Sequence, residues 1–207
     1  MYRSPGNLTL GFHGCDRTVG EAILAGHREL KPSQNLYDWL GSGQYFWEGN
    51  PSRALGFARH MKNRPTRKSA SQVKAPFVIG AVIHLGNCLN LLDTDGLHLV
   101  REGFLTLQDA YLSQGKVLPE NKPADGSDDL LLRYLDRAVI ETIHEMVEQA
   151  GGSPFDSVRG AFWEGKPLYP NAGFRKQNHI QLCIRNPNCI KGYFRVRDPD
   201  GAWPLPG

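Results

Sequence analysis

Two short stretches carry residue types suited to a flat, polar ligand: Phe12-His13-Gly14-Cys15 and Gly41-Ser42-Gly43-Gln44-Tyr45-Phe46-Trp47. Glycine admits a ligand close to the backbone, histidine exchanges a proton near neutrality, and tyrosine offers an aromatic face with a polar tip. The second stretch invites comparison with a dinucleotide-binding glycine loop. It lacks the third glycine and leads into a strand-forming run where that loop requires a helix, so a Rossmann site is excluded. A histidine at a strand end is most often structural and a tyrosine beside it most often a core residue, so neither stretch decides a function alone.

Other chemistries are poorly supplied. Cys15, Cys88, Cys183 and Cys189 form no C-x-x-C pair and are too sparse for a disulfide scaffold in 207 residues, which points to buried thiols. His27, His60, His84 and His98 fall in no metal-ligand spacing, and no metal is expected. With 40% hydrophobic and 22% charged residues, the chain can bury the core of one domain, expected over residues 1–207. No apolar run reaches the length of a membrane span, and Met1-Tyr-Arg-Ser-Pro-Gly lacks the layout of a signal peptide; no membrane partner and a cytoplasmic location are expected. Net charge is only +3, yet Gly49 to Leu92 contains no Asp or Glu while Arg53, Arg59, Lys62, Arg64, Arg67, Lys68 and Lys74 all fall within it. Such a block suits the phosphates of a nucleotide or nucleic acid, although most charge runs are solvated faces.

The elements that must position these residues follow from hydrophobic period and capping signals. Asn7 to Phe12 alternates as a strand ending at His13-Gly14. Thr18-x-x-Glu21 reads as a capping box for a short helix closed by Gly26, and Gln44 to Trp47 reads as a strand. Asn50 as N-cap and Pro51 at the first helical position open a second helix with Ala54, Leu55 and Ala58 inside. Asn63 to Ala75 reads as a polar, basic loop before an apolar strand, Phe77 to Leu85, expected in the middle of a sheet. Leu130 to Val147 has the spacing of a long amphipathic helix ended by Gly151-Gly152. Three strand-like runs follow, Ser157 to Trp163, His179 to Arg185 and Cys189 to Val196. Strands and helices neither alternate regularly nor segregate, which predicts an α+β fold with a mixed sheet and peripheral helices.

Taken together, His-Gly after the first strand, Gly43-x-Tyr45-Phe46 ahead of Ala54-Leu-Gly-Phe-Ala58, and His179-Ile-Gln181 with the return run Cys189-Ile-Lys-Gly-Tyr193 resemble the three active-site segments of the ADP-ribosyltransferases. The branch they resemble is that of diphtheria toxin and the poly(ADP-ribose) polymerases. The resemblance covers about Asn7 to Arg59 and Ser157 to Val196; Leu85 to Gln149 carries no matching motif.

The resemblance implies an ADP-ribosyltransferase-like fold and NAD as co-substrate. His13 would hydrogen-bond the adenosine ribose, the Gly14 backbone would hold the nicotinamide amide, and Tyr45 would stack on the nicotinamide ring. Cleaving the glycosidic bond leaves an oxocarbenium-like sugar, which calls for a carboxylate nearby. In the family that residue is a glutamate at the start of the late strand, where this chain has Gln181. A glutamine accepts a hydrogen bond from a ribose hydroxyl but supplies no full charge, which weighs against polymer formation and towards single-unit transfer. Glu164, at the end of the preceding strand, is a second candidate for the catalytic carboxylate, set against an ordinary surface glutamate; Glu48 competes for the same role. The loop Lys166 to Asn178 is the natural acceptor-recognition element.

The expected activity is therefore NAD-dependent mono-ADP-ribosyl transfer to a macromolecule. The basic block favours a nucleic acid such as RNA over a protein. Small size and the lack of appended domains suggest an intracellular toxin or effector, for which an antitoxin protein would be a partner. Two other readings stand: an NAD glycohydrolase, with water as acceptor, and a non-catalytic module that binds ADP-ribose, NAD or RNA.

Overall fold

β1 (Leu8–Asp16) opens the computed structural model, which describes residues 8–63, 73–124 and 129–197. The sequence places its end near Phe12, but each residue from Leu8 to Asp16 pairs antiparallel with β3 (Pro76–His84). His13 and Gly14 are therefore inside the strand, opposite Ile79 and Val78. The ladder supplies backbone partners that a local reading cannot see.

Asp16 ends β1 and caps α1 (Arg17–Leu24). Its Oδ1 accepts from the Thr18 amide at 3.0 Å and the Thr18 hydroxyl at 2.7 Å, and its Oδ2 from the amides of Lys74 at 2.7 Å and Ala75 at 2.9 Å. The cap is thus Asp16 and not the expected Thr18, because an ionised carboxylate is the stronger acceptor for free helix amides. Glu21, the other half of the expected capping box, instead meets the Arg195 guanidinium with both oxygens. Gly26 does turn the chain after the helix, at φ +72°.

β2 (Gln44–Glu48) and α2 (Pro51–Asn63) form as their signals predict, with Asn50 Oδ1 accepting from the Arg53 amide at 2.9 Å. Ala54 and Ala58 are fully buried on the inner face of α2. A Cβ on Gly14 would lie 2.1 Å from the Ala54 carbonyl oxygen, so the seating of α2 on β1 alone demands glycine there.

After β3 come β4 (Cys88–Asn90), α3 (Thr94–Ser113), β5 (Asn121–Lys122), β6 (Leu132–Arg133), α4 (Tyr134–Gln149), β7 (Ser157–Phe162), β8 (His179–Ile184) and β9 (Ile190–Arg195). The chain is α+β, with parallel and antiparallel strand pairs and four α-helices among the described residues. The described residues gather into two compact units. The first takes the described residues of Met1–Leu30, Phe46–His84 and Ile190–Gly207; the second takes Lys31–Tyr45 and those of Leu85–Cys189.

In the first unit β1 lies between β2 and β3, and β9 pairs with the far side of β3, all antiparallel. β3 is interior, as expected. Phe12, Trp47, Ala54 and Val78 form the core between sheet and α2. In the second unit β7 pairs with β4 in parallel and with β8 antiparallel. Leu40, Leu89, Leu107, Val139, Ile140, Ile143, Val158 and Cys183 fill the core beneath α3 and α4.

α3 has no counterpart in the sequence reading. Its core face carries Val100, Phe104, Leu107 and Tyr111 at helical spacing, and Gly103 among them, where a Cβ would sit 2.5 Å from Ile143, lets α4 approach closely. α4 starts at Tyr134, later than its periodicity suggests, with Leu130 and Leu131 exposed outside it. Arg133 gives its N-terminus no side-chain cap; Asn121 Oδ1 accepts from the Leu135 amide at 2.9 Å and the Asp136 amide at 3.2 Å. Asn63 to Ala75, the predicted basic loop, lies largely outside the described residues, as do Arg64, Arg67 and Lys68 of the basic block.

The Asp16 clamp sets a pH dependence. The Ala75 amide first, then Thr18, hold its carboxyl well below the usual carboxylate range. A lowered folded-state pKa contributes stability that is complete above the ordinary value of 3.8 and is lost as pH falls further. Asp16→Asn should lower stability by about 1–2 kcal/mol at pH 7, and the gap from wild type should narrow below pH ~4. Urea midpoints across pH check this; a gap of constant size down to pH ~2 would contradict it.

Candidate functional site

Tyr45, at the start of β2, belongs to the second unit together with the loop before it. Its hydroxyl accepts from the Leu40 amide at 3.0 Å and donates to the Gly41 carbonyl at 2.8 Å. Burial pushes its phenol pKa far up, so the group stays protonated. Gly41 takes φ +83°, and the Ser42 amide and hydroxyl reach Glu141 Oε1 at 2.8 Å and 3.0 Å. Burial works against the Glu141 charge, but the Ser42 donors, with Arg185 and Arg137, hold its carboxyl below the usual range. A Cβ on Gly43 would lie 2.6 Å from Cys183 Sγ and 2.7 Å from the Ile184 carbonyl oxygen. Tyr45 therefore closes the loop on itself, Ser42 ties it to α4, and Gly43 seats it on β8. Tyr45→Ala would remove both a packed ring and this closure.

β7 and β8 build the second group of side chains. Gly160 stands opposite Gln181 and Phe162 opposite His179, and directly paired residues share a face of the sheet. Trp39 covers Gly160, where a Cβ would come within 2.8 Å of the indole. The indole Nε1 donates to Gln181 Oε1 at 2.9 Å. Since an indole N–H only donates, the amide must turn its oxygen to Trp39 and its NH₂ away. Phe162 meets Trp39 edge to face at 72° and stacks on His179 at 5.0 Å with 8° between planes. The Arg133 guanidinium lies over Trp39 at 5.3 Å and Phe162 at 4.7 Å. His179 Nδ1 is 2.6 Å from the Gln177 carbonyl, which can only accept, so Nδ1 carries the proton.

Glu164 comes two residues after Phe162, the spacing that keeps an extended chain on one face. It is only 6% exposed, which removes the reading of an ordinary surface glutamate. The loop beyond it is tied down: Asp129 accepts from the Gly165 amide at 2.8 Å and from Arg175 at 3.0 Å, and the Gln177 amide donates to the Glu164 carbonyl at 3.0 Å. The second unit thus gathers Trp39, Arg133, Phe162, His179 and Gln181, with Glu164 two residues past the end of β7. Of these, sequence reasoning selected Glu164 and Gln181. The signal for Phe162 and His179 was present in the two-residue alternation around them; nothing local joins Trp39 to a strand far along the chain.

His13, Gly14 and Glu48 belong to the first unit. β1 pairs with β2 at Gly11 opposite Glu48 and Phe12 opposite Trp47, and His13 and Gly14 follow directly. The His13 ring meets Phe46 edge-on at 6.0 Å. Glu48 is partly buried at the end of β2. Cys15, Cys183 and Cys189 are buried free thiols, and Cys88 is partly exposed. Among the described residues no group of His, Cys, Asp and Glu is gathered as a metal site, and no helix is long and apolar enough to cross a membrane. No family model, curated protein or solved structure matches the chain.

Gly160→Ala must displace the indole that holds Gln181 and should destabilise the protein by about 1–3 kcal/mol, as overpacking does. Gly173→Ala, with no heavy atom within 4 Å of the added carbon, should change stability by less than about 0.5 kcal/mol. Chemical denaturation of the two variants distinguishes them; equal stability would mean that Trp39 does not rest on Gly160.

Proposed function

We propose that the chain cleaves NAD and transfers a single ADP-ribose to a macromolecular acceptor, a nucleic acid such as RNA being favoured over a protein. The reaction breaks the bond between the ribose anomeric carbon and the nicotinamide nitrogen, and the bonding pair leaves with neutral nicotinamide. The anomeric carbon bonds to a nucleophilic atom of the acceptor, whose proton passes to a base. Positive charge develops on the sugar, so a preorganised carboxylate in a water-poor setting is the most useful group a protein can offer.

The observation that carries this reading is the burial of Glu164, two residues past the end of β7, the strand that pairs with β8 and sets Gly160 opposite Gln181. Gln181 turns its amide NH₂ away from Trp39, a donor that gives a cationic sugar no charge stabilisation. The carboxylate role therefore falls to Glu164, with Gln181 and Tyr45 as the other members of the proposed catalytic set. These residues suit NAD chemically: aromatic faces and an amide for a flat carboxamide ring, a buried carboxylate for the sugar. His13 and the Gly14 backbone would contact the ribose and the nicotinamide amide in the way the sequence resemblance implies, on the strand just past the two positions paired with β2. The reading carries with it an ADP-ribosyltransferase-like fold, an intracellular toxin or effector role, and an antitoxin as partner.

The orientation of Gln181 also favours one other reading, a non-catalytic module that binds ADP-ribose, NAD or RNA, because an amide donor suits binding without bond cleavage. Release of nicotinamide separates the two. The purified protein should release nicotinamide from NAD, and Glu164→Gln and His13→Ala should each reduce the rate by about 100-fold or more while leaving the unfolding transition close to wild type. No release by wild type would leave the binding module; undiminished release in Glu164→Gln would remove Glu164 from the catalytic set.

A further inference from the structure

After β7 the chain makes an excursion that is held in shape yet shows its apolar side chains to solvent. Trp163, Leu168, Tyr169 and Phe174 are 59%, 54%, 56% and 63% exposed. The loop is not loose: the Leu168 amide donates to the Phe174 carbonyl at 3.0 Å, the Lys176 amide to the Lys166 carbonyl at 3.0 Å, and Asp129 fixes its base through Gly165 and Arg175. Trp163 Nε1 donates to the Gly173 carbonyl at 3.0 Å, and the Arg175 guanidinium lies over the Trp163 ring at 5.1 Å. From Gly165 to Arg185 there is no Asp or Glu, while Lys166 and Lys176 are exposed beside the rings.

Rings presented on a rigid loop, interleaved with cations and free of acidic residues, have a specific chemical complement. Flat bases stack on aromatic faces whatever their sequence, and phosphates answer the lysines. We infer that this loop is a docking platform for single-stranded nucleic acid, with Tyr169 and Phe174 stacking unpaired bases and Lys166 and Lys176 contacting the phosphates. A duplex would hide the base faces that the rings need. The inference rests on the proposed transfer activity only in naming its acceptor class; the binding itself requires no NAD.

The test is the fluorescence anisotropy of a labelled 15-nucleotide single-stranded RNA of mixed sequence, titrated with the full chain in the absence of NAD at several salt concentrations. Wild type should bind. Tyr169→Ala and Phe174→Ala should each weaken binding about five-fold or more. Lys166→Gln with Lys176→Gln should reduce the slope of log affinity against log salt by about 1.4, close to 0.7 per lost phosphate contact. Nicotinamide release in the absence of acceptor should stay within about two-fold of wild type in all of these variants, because these side chains lie outside the proposed catalytic set. Absence of RNA binding by wild type, or binding that none of the four substitutions alters, would overturn the inference. Variants that lose RNA binding support it whether or not nicotinamide is released, so failure of the transfer reading is recorded separately.

Discussion

The hydrogen bond from the Trp39 indole to Gln181, made over a glycine on the neighbouring strand, is the constraint on which the second unit's side-chain arrangement depends. It closes a contact between a loop early in the chain and a strand near its end. Without a side chain at Gly160 the indole can rest against the sheet; on it Phe162, and then His179, find their places, and Arg133 covers the stack. Because an indole can only donate, the bond also fixes which way the Gln181 amide faces. One geometric fact thus orders the aromatic stack and decides what chemistry the glutamine can offer.

That decision shapes the functional reading. A glutamate at this position would bring negative charge to the sugar; the glutamine brings an amide whose oxygen is engaged and whose free side donates. Charge must then come from another group, and Glu164, buried just past the end of β7, is the residue whose environment is unlike that of a surface carboxylate. Tyr45 has a second duty beside the one proposed for it, since its hydroxyl ties Leu40 to Gly41 and holds the loop that carries Trp39. Functional and structural demands meet in the same few residues, and substitutions there need conservative controls.

Strands and helices governed by local signals were legible in the sequence: β2, β3, β7, β8 and α2 with its Asn50 cap all appear where period and capping chemistry put them. Features set by distant partners were not. β1 runs on past Phe12 because β3 pairs with it to the end, the cap of α1 moves to Asp16 because Lys74 and Ala75 also donate to that carboxylate, and α4 begins where Asn121 satisfies its first amides. α3 was legible in principle, since Val100, Phe104, Leu107 and Tyr111 keep a helical spacing. In the site, Glu164 and Gln181 could be selected by residue type, but their difference in setting, one buried and one turned by an indole, is a tertiary property. Trp39 and Arg133 carry no local mark at all.

The most direct measurement of the account is the fate of labelled ADP-ribose when the purified protein acts on NAD in a cell extract that is then divided between nuclease and protease digestion. Nicotinamide release is expected together with label in high-molecular-weight material that nuclease removes and protease leaves intact. Label removed by protease alone would contradict the nucleic-acid acceptor, and the absence of both label and nicotinamide would contradict NAD cleavage itself.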